Sequence, residues 1–417
     1  MLAVVHVLLI VAYGIAPIVA LAVAWRPGKC RNANSSLGKT SVTLLYATIL
    51  AVGMSVVYAR NVGGTVDAMQ VVRAAYFASG MLCLLKWFDA GTRWFSTWAC
   101  RCRFAAAPRW RIESASAVRL LVLVGIGLPY IMATVMTYRI KVHPDMADVP
   151  AFVPPGSIAN VRFRSTDGVD LAGWWIPAPQ PRGRRPANWA ARTVVLCHGL
   201  GSNKANQLDL VRDLVPAGFN VLAFDFRAHG DSGGQLCSFG DLERFDVLAA
   251  VHWLRTNRPE QSQTIDGMGI SMGAAALIAA AADDSDDGRS IAAIVAYSTY
   301  NDLPSLARTL GERFYFPGAG WIADHVMLPM ASAQTGANLS DFSPSRLLSQ
   351  RVARPVMIVH GQQDNLIDFS LGEALYQSAE QPKAKVWIEQ AGHNDIVDND
   401  KAARAVLWFF EHARTII

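Results

Sequence analysis

A serine flanked by glycines, in residues 269–273 (GISMG), has the spacing of a nucleophile elbow. A run predicted to be a strand, residues 264–269, leads into it, and an alanine-rich stretch predicted to be a helix, residues 272–282, follows. The glycines permit the sharp turn that lifts a serine Oγ clear of a sheet. The G-x-S-x-G pattern alone is weak, but the strand and helix around it predict that Ser271 is a nucleophile.

A serine hydroxyl needs a base to take its proton, and the base needs a third group to fix its tautomer. Asp364 follows the predicted strand 356–360, and His393 follows the predicted strand 385–389. We therefore predict His393 as the base and Asp364 as the orienting acid. Asp368 and Asp395 are alternative acids, but the first stands where a helix is predicted to begin and the second is only two residues from the histidine.

Acyl transfer also needs two backbone N–H groups directed at the developing oxyanion. One is expected from Met272, which follows the nucleophile. The other is expected from Leu200, in the turn HGLG that follows the predicted strand 193–197. His198 in that turn is predicted to be structural, and residues 225–233 (DFRAHGDSG) are predicted to brace the floor of the site.

Short β-branched or apolar runs alternate with amphipathic stretches from residue 159 onward, which is typical of βαβ units and a mainly parallel sheet. The predicted strands span residues 160–164, 170–176, 193–197, 220–224, 264–269, 291–297, 356–360 and 385–389. The predicted helices span residues 206–216, 241–256, 272–282, 371–379 and 401–414. The interval 299–354 interrupts this rhythm and predicts a small cap, with an apolar group formed by Phe314, Tyr315, Phe316 and Trp321.

Five motifs, CHGLGSNK, DFRAHGDSGG, GISMG, HGQQD and AGHND, occur in this order within residues 158–414. Together they resemble the α/β-hydrolase superfamily, and in particular its membrane-associated serine hydrolases and serine-aminopeptidase-like branch. The resemblance implies an α/β-hydrolase fold with a mostly parallel eight-stranded sheet, flanking helices and a small cap. It also implies a catalytic triad and an oxyanion hole, formed by Ser271, Asp364, His393, Leu200 and Met272.

Two positions qualify the resemblance. Ala228 stands where the superfamily more often has glycine in D-x-R-G-x-G-x-S, so the loop there is expected to be less mobile. Dehalogenase and epoxide-hydrolase relatives use an aspartate nucleophile, so serine at position 271 argues against those reactions.

The N-terminal third has a different composition. The 417-residue chain is 52% hydrophobic and 17% charged, with a mean hydropathy of +0.22. Residues 1–150 carry 15 Lys and Arg against 5 Asp and Glu, whereas residues 151–417 carry 23 against 28. We predict a transmembrane region over residues 1–142, a linker over 143–158 and a hydrolase domain over 159–417. Uncharged stretches long enough to span a bilayer occur at residues 1–25, 42–59 and 120–138, and residues 74–85 are a marginal fourth span.

Basic residues favour the cytoplasmic side of a membrane. Seven of them lie in residues 86–119, and the stretch 120–138 would carry the chain to the opposite side. The catalytic domain is therefore predicted to be extracytoplasmic, whether the chain has three spans or four.

The leading hypothesis is a multi-pass membrane serine hydrolase that cleaves esters or thioesters. A peptidase of the aminopeptidase-like type and a catalytically idle membrane scaffold remain alternatives. The predicted partners are the lipid bilayer and a small acyl-ester or lipid-like substrate. No nucleic acid partner and no cofactor are predicted. No metal is predicted either, since the six cysteines show no zinc-site spacing.

Overall fold

The computed structural model describes residues 128–139, 141–154, 156–179, 191–315 and 317–413. All of them lie in one compact unit, Arg119–Ile417. The predicted membrane spans 1–25, 42–59 and 74–85 lie outside the described residues, and the span 120–138 lies partly outside them. In the ranges that the structure describes, no helix combines the length and apolar character needed to cross a membrane.

An eight-stranded sheet forms the centre of the described residues. Its strands are β1 (Ala159–Arg164), β2 (Asp170–Ile176), β3 (Arg192–Cys197), β4 (Asn220–Phe224), β5 (Thr264–Ile270), β6 (Ile291–Tyr297), β7 (Val356–Gly361) and β8 (Lys383–Ile388). They lie in the order β1-β2-β4-β3-β5-β6-β7-β8. Only β2 runs against its neighbours, β1 and β4, and the other pairs are parallel. The prediction of a mostly parallel eight-stranded sheet is therefore confirmed, with every strand within two residues of its predicted bounds.

The central strands are apolar along their whole length because both faces of the sheet are covered. In β3, Val194 and Leu196 face one hydrophobic core, and Val195 and Cys197 face the other. This two-sided burial produces continuous apolar runs in the sequence instead of an alternating pattern.

Helices cover both faces of the sheet. They are α1 (Leu128–Thr137), α2 (Glu243–Asn257), α3 (Met272–Ala281), α4 (Asp286–Arg289), α5 (Leu303–Phe314), α6 (Ala319–Ile322), α7 (Leu328–Thr335), α8 (Pro344–Arg351), α9 (Phe369–Ser378) and α10 (Asp400–His412). The core beside α2, α3 and α9 occupies one face of the sheet, and the core beside α10 occupies the other. Four of the five predicted helices are present within two residues of their expected ends.

The predicted helix at residues 206–216 is wrong. This segment contains only a 3₁₀ helix, Leu208–Val211, within a series of turns. Leu208, Val211 and Leu214 are buried three residues apart. That spacing is compatible with an α-helix, but 3₁₀ turns with i to i+3 hydrogen bonds satisfy it equally well. Leu214 N–H, for example, donates to Val211 O at 3.0 Å.

The interval 299–354 folds as helices, with a π-helical segment, Ala323–Met327, between α6 and α7. We call α5, α6, this segment and α7 the cap. Helix α1 packs against α7, where Gln334 Nε2 donates to Thr134 Oγ1 at 2.8 Å. Part of the stretch predicted to span a membrane is thus attached to the cap.

The chain that leaves α1 is fixed to the hydrolase fold before the sheet begins. Cys237 N–H donates to Thr137 O at 2.8 Å, and Arg139 N–H donates to Gln235 O at 3.1 Å. His143 Nδ1 then lies 2.8 Å from a carboxylate oxygen of Asp231. These contacts join the end of the predicted transmembrane region and the first residue of the predicted linker to the loop that follows β4.

Candidate active site

Ser271 stands at the junction of β5 and α3 in a conformation that few non-glycine residues adopt. Its φ is 54° and its ψ is −121°, and such a geometry costs roughly 1–3 kcal/mol. The surrounding chain holds it there, because Ser271 N–H donates to Tyr297 O at 2.8 Å and Thr299 Oγ1 donates to Ser271 O at 2.8 Å. The sharp strand-to-helix turn predicted from the GISMG sequence is therefore present.

The two glycines of this turn are required by close backbone contacts. A Cβ on Gly273 would lie 2.3 Å from Cys197 O and 2.4 Å from His198 O. A Cβ on Gly269 would lie 2.7 Å from Ala274 N. Atoms this close cannot coexist, so larger residues at either position would push α3 away from the sheet. The first turn of α3 consequently lies directly against the end of β3.

Asp364 and His393 are in contact at the same edge of the sheet. His393 Nδ1 lies 2.7 Å from Asp364 Oδ2, and both side chains are largely buried. A carboxylate can only accept, so Nδ1 carries the proton and Nε2 is left free to act as a base. The second carboxylate oxygen accepts from Leu366 N–H at 2.9 Å and Ile367 N–H at 2.8 Å. The acid is thus fixed from both sides.

The pKa of Asp364 reflects two opposing effects. Burial on its own would raise the pKa of this carboxyl group. Hydrogen bonds from His360 and His393 favour the charged form more strongly and hold the pKa well below its usual range. The carboxylate therefore stays ionised and orients the imidazole.

The alternative acids have local roles. Asp368 caps α9 by accepting from Ser370 N–H at 3.0 Å, and it pairs with Arg313 at 3.1 Å. Asp395 accepts from Gly392 N–H at 2.8 Å within its own loop. The hydrogen bonds and ion pairs of neither carboxylate include His393, so Asp364 is the acid that the structure brings to the imidazole.

Backbone contacts link the loop of Ser271 to the loop of His393. Ser298, which follows β6, donates its N–H to Val359 O of β7 at 2.8 Å. A Cβ on Gly361 would lie 2.3 Å from Ala391 O, so the loops after β7 and β8 touch. Within the described part of the chain, no hydrogen bond joins Ser271 Oγ to His393. Such bonds are often long in a site without substrate and tighten when substrate binds.

The two amides expected to bind an oxyanion lie on adjoining segments. Met272 is the first residue of α3, so its N–H has no acceptor within the helix. In the turn after β3, Gly199 N–H donates to Gln207 Oε1 at 3.2 Å and Gly201 N–H donates to His229 Nε2 at 3.1 Å. Between them, Leu200 N–H donates to no acceptor among the described residues. The loop is thus fixed by its two glycine amides, and the Leu200 amide is available.

His198 and His229 are buried supports of that turn. His198 Nε2 accepts from Phe226 N–H at 3.0 Å, so its Nδ1 carries the proton and donates to Gly199 O at 2.7 Å. Burial lowers the pKa of His198 to about 4 and that of His229 to about 3. Both imidazoles are therefore neutral near pH 7, which agrees with the structural role predicted for His198.

The loop after β4 is joined to the loop after β3 by a buried ion-pair group. The Lys204 ammonium group is buried between Asp225, at 2.6 Å, and Asp231, at 2.8 Å. Asp231 N–H also donates to Asp225 Oδ2 at 2.9 Å. Ala228 in this loop has a φ of 63°, which explains why the superfamily favours glycine at this position.

His360 is a neighbour of the site whose contact with the acid the sequence did not predict. It is fully buried, its Nε2 donates to Ile367 O at 3.0 Å, and the same atom lies 3.4 Å from Asp364 Oδ2. Its Nδ1 has no hydrogen-bond partner. In the sequence, the signal for this contact was the four-residue spacing of His360 and Asp364 in HGQQD. That spacing does not specify the orientation of the imidazole ring.

A hydrophobic cluster joins the cap to the loops at the carboxyl ends of the strands, where Ser271 and His393 lie. It combines Leu200 and Ile367, from loops beside the site, with Tyr300, Leu303 and Met327. The aromatic side chains expected to make the cap apolar do not belong to this cluster. Phe314, Tyr315 and Trp321 are exposed on the cap, so they do not line an enclosed acyl site, and residue 316 lies outside the described residues. Across the described ranges, no three His, Cys, Asp or Glu side chains converge as metal ligands would.

Comparison with known proteins agrees with this architecture. Residues 194–406 match the alpha/beta hydrolase family, and the chain belongs to that family. It is 31% identical to the protein YqkD of Bacillus subtilis over 234 residues, which cover 55% of this chain and 70% of YqkD. It is 28% identical to the protein YfhR of Escherichia coli K12 over 242 residues, which cover 58% of this chain and 75% of YfhR.

A solved structure shares the same arrangement. The esterase Pf2001 of Pyrococcus furiosus superposes with a TM-score of 0.52 at 25% sequence identity, and the match covers 66% of this chain and 99% of the esterase. The chain is therefore an alpha/beta hydrolase with an esterase among its structural neighbours.

Proposed function

We propose that this chain is a membrane-anchored serine hydrolase that cleaves carboxylic ester or thioester bonds through an acyl-enzyme on Ser271. One observation carries the proposal. A serine in the strained elbow conformation shares the carboxyl edge of the parallel sheet with a buried carboxylate and imidazole joined at 2.7 Å. An arrangement of this kind supplies nucleophile, base and orienting acid.

In the first half of the proposed reaction, Ser271 Oγ attacks the acyl carbonyl carbon while His393 Nε2 takes the hydroxyl proton. The carbonyl oxygen becomes an oxyanion that accepts hydrogen bonds from the N–H groups of Leu200 and Met272. Asp364 stabilises the imidazolium ion without taking its proton. When the tetrahedral intermediate collapses, the bond to the leaving alcohol or thiol breaks, and His393 protonates the leaving group.

In the second half, a water molecule attacks the acyl carbon and His393 Nε2 accepts its proton. Collapse of the second intermediate breaks the bond to Ser271 Oγ, releases the carboxylic acid and returns the proton to the serine. The same two amides bind both oxyanions. Loss of one such donor typically lowers kcat by about 10²- to 10³-fold.

Two observations support ester chemistry and an apolar acyl group. A structural neighbour that aligns over nearly its whole length is an esterase. Leu200, partly buried beside Ser271 and His393, packs against the buried residues Tyr300, Leu303, Met327 and Ile367, so the protein next to the site is apolar. Peptidase action and an idle scaffold are the competing outcomes.

Membrane anchoring is supported by composition. The stretches 1–25, 42–59 and 120–138 contain no charged side chain, and residues 1–150 are strongly basic.

A reporter enzyme fused after Ile417 is expected to behave as extracytoplasmic. Activity of a cytoplasm-only reporter at that position would overturn the orientation.

The decisive experiment uses a fluorophosphonate probe, which reacts with activated serines. The purified full chain should be labelled, and Ser271→Ala should abolish labelling while the circular dichroism spectrum is unchanged. Ser298→Ala is the matched control, because Ser298 also follows a central strand but is fully buried. Labelling that survives in Ser271→Ala would move the nucleophile elsewhere.

A screen of p-nitrophenyl esters of graded chain length, alongside aminoacyl p-nitroanilides, separates the remaining alternatives. Ester turnover that rises with chain length supports the acyl hydrolase. Turnover of the anilides alone would favour the peptidase. A labelled protein that turns over neither series would contradict the proposed substrate class, and an unlabelled one would favour the scaffold.

A further inference from the structure

Three large aromatic side chains on the outside of the cap are largely exposed. Phe314 is 44% exposed, Tyr315 is 63% exposed and Trp321 is 60% exposed. We call these three residues the aromatic cap surface. Large aromatic side chains grouped in this way mark a surface that meets an apolar or interfacial partner.

Hydrogen bonds and a close helix contact hold the backbone beneath this surface. The Glu312 carboxylate accepts from Gly318 N–H and Gly320 N–H, each at 3.1 Å, which closes the turn between α5 and α6. A Cβ on Gly311 would lie 2.6 Å from Gly320 Cα, so the two helices meet backbone to backbone. The aromatic residues therefore lie on or next to two helices that are packed closely together.

The two faces of α5 differ sharply. Leu303, Leu306 and Ala307 are buried beneath it, whereas the partly exposed Arg308 and Arg313 pair with Asp324 at 3.5 Å and with Asp368 at 3.1 Å. Trp321 also stacks on the His325 ring, with centroids 5.0 Å apart and planes 11° apart. Amphipathic aromatic rings together with arginines are typical of protein surfaces at the level of lipid headgroups.

The path of the chain identifies the partner. Helix α1 ends the uncharged stretch 120–138, and α1 and α6 both pack against the π-helical segment Ala323–Met327. Val135 on α1 and Tyr138, the residue that follows α1, are also exposed. A further 127 residues precede Leu128, and they include the other uncharged stretches. Because residues 128–137 of this stretch pack on the cap, the cap is the part of the hydrolase fold next to residues 120–127, which lead to the bilayer in the proposed anchoring.

We infer that the aromatic cap surface rests on the lipid bilayer, with Trp321 and Tyr315 at headgroup depth. The inference rests on the proposed membrane anchoring and adds a second contact that fixes the orientation of the catalytic domain. A bilayer contact at the cap would present the catalytic edge to acyl chains that leave the membrane.

The protein contains a matched control. Trp408 on α10 is 53% exposed and stacks on the ring four residues later, His412, with centroids 4.6 Å apart and planes 17° apart. It thus has the exposure and ring stacking of Trp321 but lies on a helix at one face of the sheet, away from the cap. The two tryptophans differ mainly in position.

The experiment uses the full chain in phosphatidylcholine vesicles whose lipids are brominated near the glycerol end of the acyl chain. The fluorescence of the wild-type protein minus that of Trp321→Phe isolates the emission of one tryptophan, and Trp408→Phe isolates the other. We expect brominated lipid to quench the Trp321 difference signal and to leave the Trp408 signal unchanged. Equal signals from Trp321 in brominated and plain vesicles would overturn the inference.

The readout does not depend on catalysis. Failure of fluorophosphonate labelling would reject the proposed hydrolase and leave the quenching result in force. Failure of the protein to float with vesicles would reject both the anchoring and the cap contact. Flotation without quenching of Trp321 would reject the cap contact alone, and a defined dimer in the same sample would then assign the surface to a second copy of the chain.

Discussion

His360 Nε2 lies 3.4 Å from Asp364 Oδ2, with both side chains fully buried. The same nitrogen donates to Ile367 O at 3.0 Å, and Ile367 N–H donates to the other oxygen of Asp364 at 2.8 Å. The imidazole therefore supports the acid directly and also through the loop that wraps around it. Asp364 is thus in contact with two histidines, and His393 is the one proposed to exchange a proton with substrate.

Replacement of the inner histidine is expected to weaken this support. His360→Phe keeps a ring of similar size but leaves the buried Ile367 carbonyl without that donor and removes a hydrogen bond to Asp364. The free energy of unfolding should fall by about 1–3 kcal/mol, and the pKa of Asp364 should rise. Urea unfolding measures the first effect. His252→Phe, at an exposed position on α2, should leave stability unchanged, and equal stabilities of the two variants would contradict the role of His360.

The turn after β5 should not tolerate one added methyl group at Gly273. Gly273→Ala would place a carbon 2.3 Å from Cys197 O, which forces α3 away from β3. We expect a loss of about 3 kcal/mol or more in the free energy of unfolding, as for other overpacked positions.

Gly199→Ala is the matched control for that turn. Its added carbon would lie no closer than 3.7 Å to its neighbours, which is an ordinary contact. Denaturant midpoints should therefore separate the two variants clearly. A Gly273→Ala protein as stable as Gly199→Ala would show that α3 does not touch β3 as described.

Mild acid should destabilise the protein through two neutral histidines. Burial lowers the pKa of His198 to about 4 and that of His229 to about 3, whereas both begin from an ordinary value of 6.5. Below pH 6.5 the two histidines bind protons in the unfolded chain but stay neutral in the folded protein. The contribution of the two histidines to stability is therefore complete above pH 6.5 and is lost as the pH falls towards their lower folded-state pKa values. Between pH 7 and pH 5 each imidazole should lower the free energy of unfolding by about 2 kcal/mol.

Urea titrations at pH 7 and pH 5 measure this dependence. His229→Gln keeps a side-chain amide near the Gly201 N–H but removes one titrating group, so it should show a smaller pH dependence than the wild-type protein. An unchanged pH dependence would mean that His229 is protonated in the folded state.

The sequence predicts the sheet well and the side-chain contacts of the site only in part. Continuous apolar runs such as 193–197 predict buried parallel strands, because few other structures bury both faces. The segment 206–216 misleads, since its apolar spacing suits both 3₁₀ turns and a helix. The contact of Asp364 with His393 follows from two strand ends on one edge, but the position of His360 depends on a rotamer that no sequence pattern specifies. The aromatic residues of the cap were expected to make it apolar, and only the packing of α5 shows that they point outward.

The sharpest test of the site compares two aspartates in neighbouring loops. Asp364→Asn preserves size and burial but removes the charge that holds the proton on His393 Nδ1, so the imidazole loses the tautomer needed to accept a proton from Ser271. We expect kcat to fall by about 10³- to 10⁴-fold with little change in KM, by analogy with the loss of the orienting acid in serine proteases.

Asp395→Asn alters a carboxylate two residues from His393 that accepts from Gly392 N–H, and should change kcat only a few-fold. Steady-state kinetics on a short p-nitrophenyl ester measures both. A large loss in Asp395→Asn with a small one in Asp364→Asn would reverse the assignment of the acid.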